Sequence, residues 1–173
     1  KLYGALTGKE EKADKFFEKQ VKKIKQIEKI KNTEKTIAFF YISTDGKAVV
    51  RRSTDYIPTM IQIAGGRYIF KNLDDKDGKT SIPMTIEKFY DVAADADYIV
   101  YNGSIDHSVR NMKELLEKDP IMKKFKAVKT GNCWRTGASM YQRTDIVGDM
   151  IIDFNKLLTE KNPKNLKFIS KLE

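Results

Sequence analysis

Apolar residues recur along this chain at two different periods, and the alternation between them predicts its elements. In "DKFFEKQVKKIKQIEKI", Phe17, Val21, Ile24, Ile27 and Ile30 lie three and four positions apart, which predicts one long amphipathic helix within residues 1–33. "TIAFFYIS" is apolar on both faces and rich in β-formers, as a buried central strand should be. Asp45-Gly46 marks a turn, and "KAVVRR" follows as a shorter strand. A helix opened by "STD" carries Ile57, Met60, Ile61 and Ala64 on one face, with Pro58 near its first turn. "RYIF" reads as a brief strand, and "KNLDDKDGKTSIP" as a polar loop. A helix from about Thr85 to Ala94 turns Ile86, Phe89 and Tyr90 inward, and "DYIVYNG" is a second buried strand. "HSVRNMKELLEK" is helical, and "KAVKTGNCWR" reads as two short strands around Thr130-Gly131-Asn132. The last helix carries a stripe of Val147, Met150, Ile151, Phe154, Leu157 and Leu158, and ends before Asn162-Pro163.

Strands alternating with helices predict an α/β fold: a three-layer Rossmann-like sandwich with a mostly parallel sheet over residues 34–173, preceded by one long helix. In such folds ligands sit beyond the carboxyl ends of the strands. That edge would collect Arg51, Arg52, the "NGSIDH" loop and the "WRTGASMYQ" segment.

Composition narrows the class without naming a function. With 173 residues, 40% hydrophobic and 33% charged, the chain can bury a core of its own. Its longest apolar run is far too short to span a bilayer. The chain starts at Lys1 inside a helical pattern, which suggests a fragment of something longer. A lone Cys133 excludes internal disulfides and multi-cysteine metal sites. The net charge of +9 invites a nucleic-acid reading, yet its distribution does not favour one. Residues 1–35 hold eleven Lys against six Asp or Glu, so five of the nine charges sit there, interleaved around a helix as on a solvated face.

The chemical motifs thin out under inspection. Gly65-Gly66 follows a helix and precedes a strand, the reverse of a phosphate-binding loop, so a helix C-cap is the better reading. "DDKDG" has Leu73 and Met84 where an EF-hand needs its first and last ligands. Ser104, Asp106 and His107 crowd one loop, but neighbours in sequence rarely form a catalytic triad. Asn102-Gly103-Ser104 matches a glycosylation sequon, a common match. Arg51 and Arg52 end a strand and point to opposite faces, so one at most reaches a common ligand. "CWRTGASMYQR" joins Trp134 to Arg135, Tyr141, Gln142 and Arg143, a combination suited to a flat or anionic ligand. The residues alone favour a binding module over an enzyme.

Four stretches together resemble the periplasmic-type solute-binding proteins of ABC importers, in the class serving iron–siderophores, haem and cobalamin. "GALTGKEEKADKFFEKQVKKIKQI" is similar to the helix joining their two lobes, and "VVRRSTDYIPTMIQIAGGRYIF" to a second-lobe helix ending in Ala-Gly-Gly. "SIPMTIEKFYDVAADADYIVYNGSID" resembles the helix carrying a Glu and the strand after it. "FKAVKTGNCWRTGASMYQRTDIVGDMIIDFNKLL" resembles the closing segment. The resemblance implies an interlobe helix at 1–33 and a C-terminal lobe at 34–173, with the N-terminal lobe absent. It implies a ligand edge lined by Arg51 or Arg52, Tyr56, Trp134, Arg135, Tyr141 and Gln142, and a permease-docking Glu87. The implied ligand is a ferric complex or metal macrocycle, with no cofactor and no catalysis. The implied partners are the transmembrane permease subunits. The implied location is extracytoplasmic, as a periplasmic protein or a surface lipoprotein. The rivals are a Rossmann- or flavodoxin-like enzyme and a basic nucleic-acid-binding domain.

Overall fold

The computed structural model of the protein describes residues 1–27, 32–73, 78–138 and 140–173, with the backbone alone described for Gln142 and Thr144. Ile30 and the acidic run at 74–77 therefore lie outside the described residues.

The long helix is α2 (Glu10–Ile27), with Glu10 and Glu11 in its first turn and Lys25 in its last, as the helix dipole favours. The single helix expected over 1–33 is interrupted, because Gly8 at φ +63° breaks it: a five-residue helix, α1 (Leu2–Leu6), precedes α2 and folds back on it through Lys9 N–H to Gly4 O at 2.8 Å. Strand β1 (Thr36–Ile42) turns at Asp45-Gly46 into β2 (Ala48–Arg51), which returns antiparallel with Phe40 opposite Val50. Helix α3 (Tyr56–Ile63) leads to β3 (Arg67–Tyr68), parallel to the start of β1. Helix α4 (Ile86–Ala93) leads to β5 (Tyr98–Tyr101), parallel to β1 on its other side.

Four further segments differ from the sequence reading. The polar loop ends in a strand, β4 (Ser81–Met84), paired antiparallel with β2. Pro83 hides it from propensity, but an edge strand tolerates a residue that cannot donate. "KAVK" is not a strand but a helical turn, α6 (Lys126–Lys129), anchored by Lys126 N–H to Ala94 O at 2.8 Å. Helix α5 (Met112–Lys118) begins later than its pattern suggests, because Asn111 caps it by accepting from Glu114 N–H. After β6 (Cys133–Thr136) and α7 (Val147–Thr159), a three-residue strand β7 (Ile169–Lys171) closes the sheet antiparallel to β6. Four-residue runs carry too little periodicity to separate strand from helix.

The strand order is β4-β2-β1-β5-β6-β7, with β3 beside β1. From these pairings β1, β3, β4, β5 and β6 share one direction and β2 and β7 oppose it, a mostly parallel sheet. Alternation along the strands puts Phe40, Ile99, Tyr101 and Cys133 on one face. There Phe40 meets Phe89 of α4 at 4.3 Å between ring centroids, and Phe89 meets Phe125 at 5.4 Å. The opposite face, with Phe39, Val100 and Trp134, faces α7, and α3 is tied to α7 by Asn155 Nδ2 donating to Ala64 O at 3.0 Å. Helix α2 lies outside α7, joined by Lys23 to the buried Asp149 at 2.7 Å, with Lys167 on the same oxygen at 2.9 Å. Burial raises the Asp149 carboxyl, but the two lysine hydrogen bonds outweigh it and hold it below the ordinary value.

Gly65-Gly66 is a Schellman terminator: Gly66 N–H reaches Ile61 O and Gly65 N–H reaches Gln62 O, both at 3.0 Å. Gly65 has φ +87°, and a Cβ on Gly66 would sit 2.7 Å from Cδ1 of the buried Leu158. Gly66→Ala is therefore expected to cost about 1–3 kcal/mol by overpacking the α3–α7 contact. Equilibrium urea unfolding reads this directly, and an unshifted midpoint would show that the contact has slack.

Candidate functional site

The connection leaving β1 passes over the α3 face to reach β3, whereas the next one uses α4 on the other face to reach β5. The crevice between the carboxyl ends of β1 and β5 is thus a topological switch point, where open α/β sheets bind ligands.

A polar–aromatic cluster lies at this crevice. Arg51 ends β2 on the α3 face, donating to Asp55 Oδ2 at 2.7 Å and to Ser81 Oγ at 2.8 Å. Asp55 is 8% exposed and also caps α3, its Oδ1 accepting from Ile57 N–H. Burial works against the Arg51 charge, yet the Asp55 hydrogen bond shifts its titration upward, so it stays a cation. The guanidinium lies over the Tyr141 ring, 5.7 Å from its centroid, a cation–π distance. Tyr56, the first residue of α3, meets Tyr141 edge to face at 6.0 Å and is 40% exposed. From the carboxyl end of β5, Asn102 Nδ2 donates to Tyr141 Oη at 2.8 Å. Burial raises both phenols above their ordinary values, so near neutrality both keep their protons.

The predicted site residues do not all converge. Arg51, Tyr56 and Tyr141 meet, joined by Asn102 from the "NGSIDH" loop expected at this edge, with Asp55 and Ser81 as partners that the sequence did not single out. Arg135 lies against Gly103, where a Cβ would stand 3.0 Å from its Nε and would collide with Thr136 O. Its hydrogen bond is a long one to Thr136 O, at 3.4 Å, and it pairs with no carboxylate among the described residues. Arg52 likewise has no carboxylate partner among the described residues, and its buried Nε is unsatisfied. The Gln142 side chain lies outside the described residues, although its backbone continues the 3-10 turn that carries Tyr141. Trp134 is 6% exposed and lines a depression of about 390 Å³ with Tyr98, Asn132 and Leu157, at the amino-terminal end of the parallel strands. It takes no part in the cluster: it shares the sheet face of Arg51 but lies on β6, with β1 and β5 between them. Glu87 is exposed in the first turn of α4, in the opposite layer, without an ion-pair partner among the described residues.

The remaining motifs resolve as structure. Ser104 Oγ donates to Gly137 O at 2.7 Å and His107 Nδ1 meets Gly103 O at 2.6 Å, so the hydroxyl and imidazole do not address each other. Asp106 accepts from Tyr101 Oη and Lys118 Nζ. Burial raises its carboxyl, but those hydrogen bonds and that from Ser108 prevail, and it stays ionised far below the usual carboxylate range. Asn102 is 1% exposed, which removes it as a glycan acceptor. Cys133 is buried, its thiol pushed up to about 12 by desolvation. Among the described residues no group of three His, Cys, Asp or Glu could hold a metal ion, and no helix is long and apolar enough to cross a membrane. What the crevice offers is donors and aromatic surface: phenol protons, guanidinium groups and rings.

Known proteins show the same architecture. The TroA-like periplasmic binding protein FepB from Veillonella parvula superposes with a TM-score of 0.74 at 14% identity, covering 98% of this chain and 59% of its own. An ABC-type Fe3+-hydroxamate transport protein from Saccharomonospora viridis gives 0.69 at 14% identity, over 91% of this chain and 53% of its own. The periplasmic haem-binding protein HutB of Vibrio cholerae gives 0.68 at 15% identity, over 90% and 60%. This chain thus spans less than two thirds of each neighbour's length, and at these identities the likeness is one of fold. No curated protein matches the sequence. The family model described as periplasmic binding protein matches residues 1–139, most of the chain, and the protein belongs to that family.

Proposed function

We propose that the chain is the interlobe segment (1–33), containing helix α2, and the C-terminal lobe (34–173) of an extracytoplasmic substrate-binding component of an ABC importer, serving an iron–siderophore, haem or cobalamin-type ligand. The observation that carries this is the cluster of Arg51, Tyr56 and Tyr141 at the switch-point crevice of a family member. Phenol protons and guanidinium groups suit the oxygen anions of ferric siderophores or haem propionates, and the rings suit a macrocycle. The neighbours named for Fe3+-hydroxamate and haem support the same class. Arg51 is committed to Asp55, so Arg135, free of carboxylates among the described residues, supplies the charge that a ligand anion meets. The lobe is one wall of a cleft whose other wall is an N-terminal lobe. No bond is made or broken: the ligand is captured and then handed to the permease, with Glu87 docking on it. The protein works outside the cytoplasm, either free in a periplasm or held at the surface by a lipid anchor.

In the two-lobe protein, calorimetric titration with ferric siderophores, haem and cobalamin is expected to give micromolar or tighter binding for one of them. Trp134 is a poor optical reporter, since it sits at the far end of the strands. Silence from all three ligand types removes the iron-complex assignment. Glu87→Lys is expected to leave ligand affinity unchanged and reduce cellular uptake about tenfold or more, as loss of a charge contact at an interface does. Normal uptake by this variant rules out docking through Glu87.

A further inference from the structure

We propose that Asn102 is a positioning residue: it holds the Tyr141 hydroxyl as an acceptor from inside the fold, so that the phenol proton is presented outward to oxygen atoms of the ligand. The proposal rests on the reading of the β1–β5 crevice as the ligand edge.

Asn102 is fixed on every side. Its N–H donates to Phe40 O at 2.7 Å, and its carbonyl accepts from Ile105 and Asp106 N–H at 3.2 Å. Its side chain is buried, with Nδ2 on Tyr141 Oη and with Oδ1 lacking a partner among the described residues. For stability alone this is a poor choice of residue. A buried amide with an orphaned oxygen is less favourable than an apolar side chain of similar size, and such groups call for an explanation. Breaches of local rules of this kind concentrate at functional sites.

What the amide supplies is direction. A phenol oxygen has one proton to give and lone pairs to accept with. While it accepts from Asn102, the proton is free for the open side, and Tyr141 is only partly buried. Arg51 over the ring and Tyr56 against its edge hold the ring plane. The crevice thereby selects ligands that present lone pairs at this point, such as carboxylate, hydroxamate or catecholate oxygens, over ligands that present N–H donors.

Two variants test the idea. Asn102→Asp keeps the shape and reverses the hydrogen bond, since an ionised carboxylate only accepts and turns the phenol proton inward. Asn102→Leu removes the bond and fills the space. With 13Cζ-labelled tyrosine, both are expected to move the Tyr141 resonance and raise its titration, because the Asn102 bond now lowers it, while leaving remote Tyr98 in place. An unmoved Tyr141 resonance in both folded variants overturns the proposal. In the two-lobe protein, with a ferric trihydroxamate as probe, Tyr141→Phe and Asn102→Asp should each weaken binding about tenfold, the double variant no further. Loss with Tyr141→Phe but not with Asn102→Asp refutes the positioning and leaves the ligand edge standing. Unchanged affinity in both refutes the ligand edge, and this proposal with it.

Discussion

Asp55→Ala is expected to destabilise the protein by about 3–5 kcal/mol, the cost of leaving a buried charge without its partner. The Asp55 and Arg51 side chains are 5% and 14% exposed, so water cannot replace the lost carboxylate. The same substitution removes the acceptor for Ile57 N–H at the start of α3, a loss of about 1 kcal/mol on its own. Against a total stability of about 5–15 kcal/mol this is a large fraction. Equilibrium urea unfolding followed by far-UV circular dichroism measures it. Asp55→Asn keeps a cap acceptor but drops the charge, and should fall between wild type and Asp55→Ala. The double variant Arg51→Met, Asp55→Leu replaces the pair by apolar volume, and should recover most of the loss. A cost below about 1 kcal/mol for Asp55→Ala would show that the pair is not sealed from solvent. Because Arg51 also stacks on Tyr141, loosening it should weaken ligand binding at the crevice as well.

Phe89→Ala should cost about as much, 3–5 kcal/mol, for an apolar reason. The ring is fully buried and touches three others: Phe40 at 4.3 Å, Phe125 at 5.4 Å and Phe70 at 5.7 Å between centroids. Removing it takes the keystone from the layer that covers one sheet face and leaves a cavity that rigid neighbours cannot close. Phe89→Leu keeps part of the volume and should lose markedly less. Equal losses for the two variants would mean that ring geometry, not volume, sets the contribution. Since Phe89 seats α4, the alanine variant should also loosen the helix that presents Glu87, while leaving the Asn102–Tyr141 contact in place.

How much of this could be read in advance depends on the length of each element. α2, α3, α4 and α7 each carry apolar stripes over two turns or more, and β1 and β5 are apolar throughout, so periodicity and run length identify them. The Gly65-Gly66 terminator was legible too, because a left-handed residue after a helix leaves few other choices. β4, α6 and β7 span four, four and three residues, and so short a run is decided by what it pairs with. The site divides in the same way. Arg51 and Tyr141 are residue types suited to a ligand edge, Tyr56 enters only through the family resemblance, and Asn102 lies in a loop that the strand order brings to that edge. The roles of Asp55 and Asn102 are not legible there, because a helix cap and a strand-end asparagine look ordinary until their partners are known. Trp134 shows the converse: its chemistry fits a ligand edge, yet β1 and β5 separate it from Arg51 on that face.

By itself the sequence determined the periodic elements, their order and the α/β class, and its ordered motifs pointed to a solute-binding protein. Those properties follow from local sterics and from which face of each element must be buried. Only the tertiary structure decided which side chains share the crevice, since Asn102 and Tyr141 lie 39 residues apart and meet through the register of β5 and the turn after β6. A contact of that span is set by how the sheet closes on its helices, and no window of residues encodes that closure.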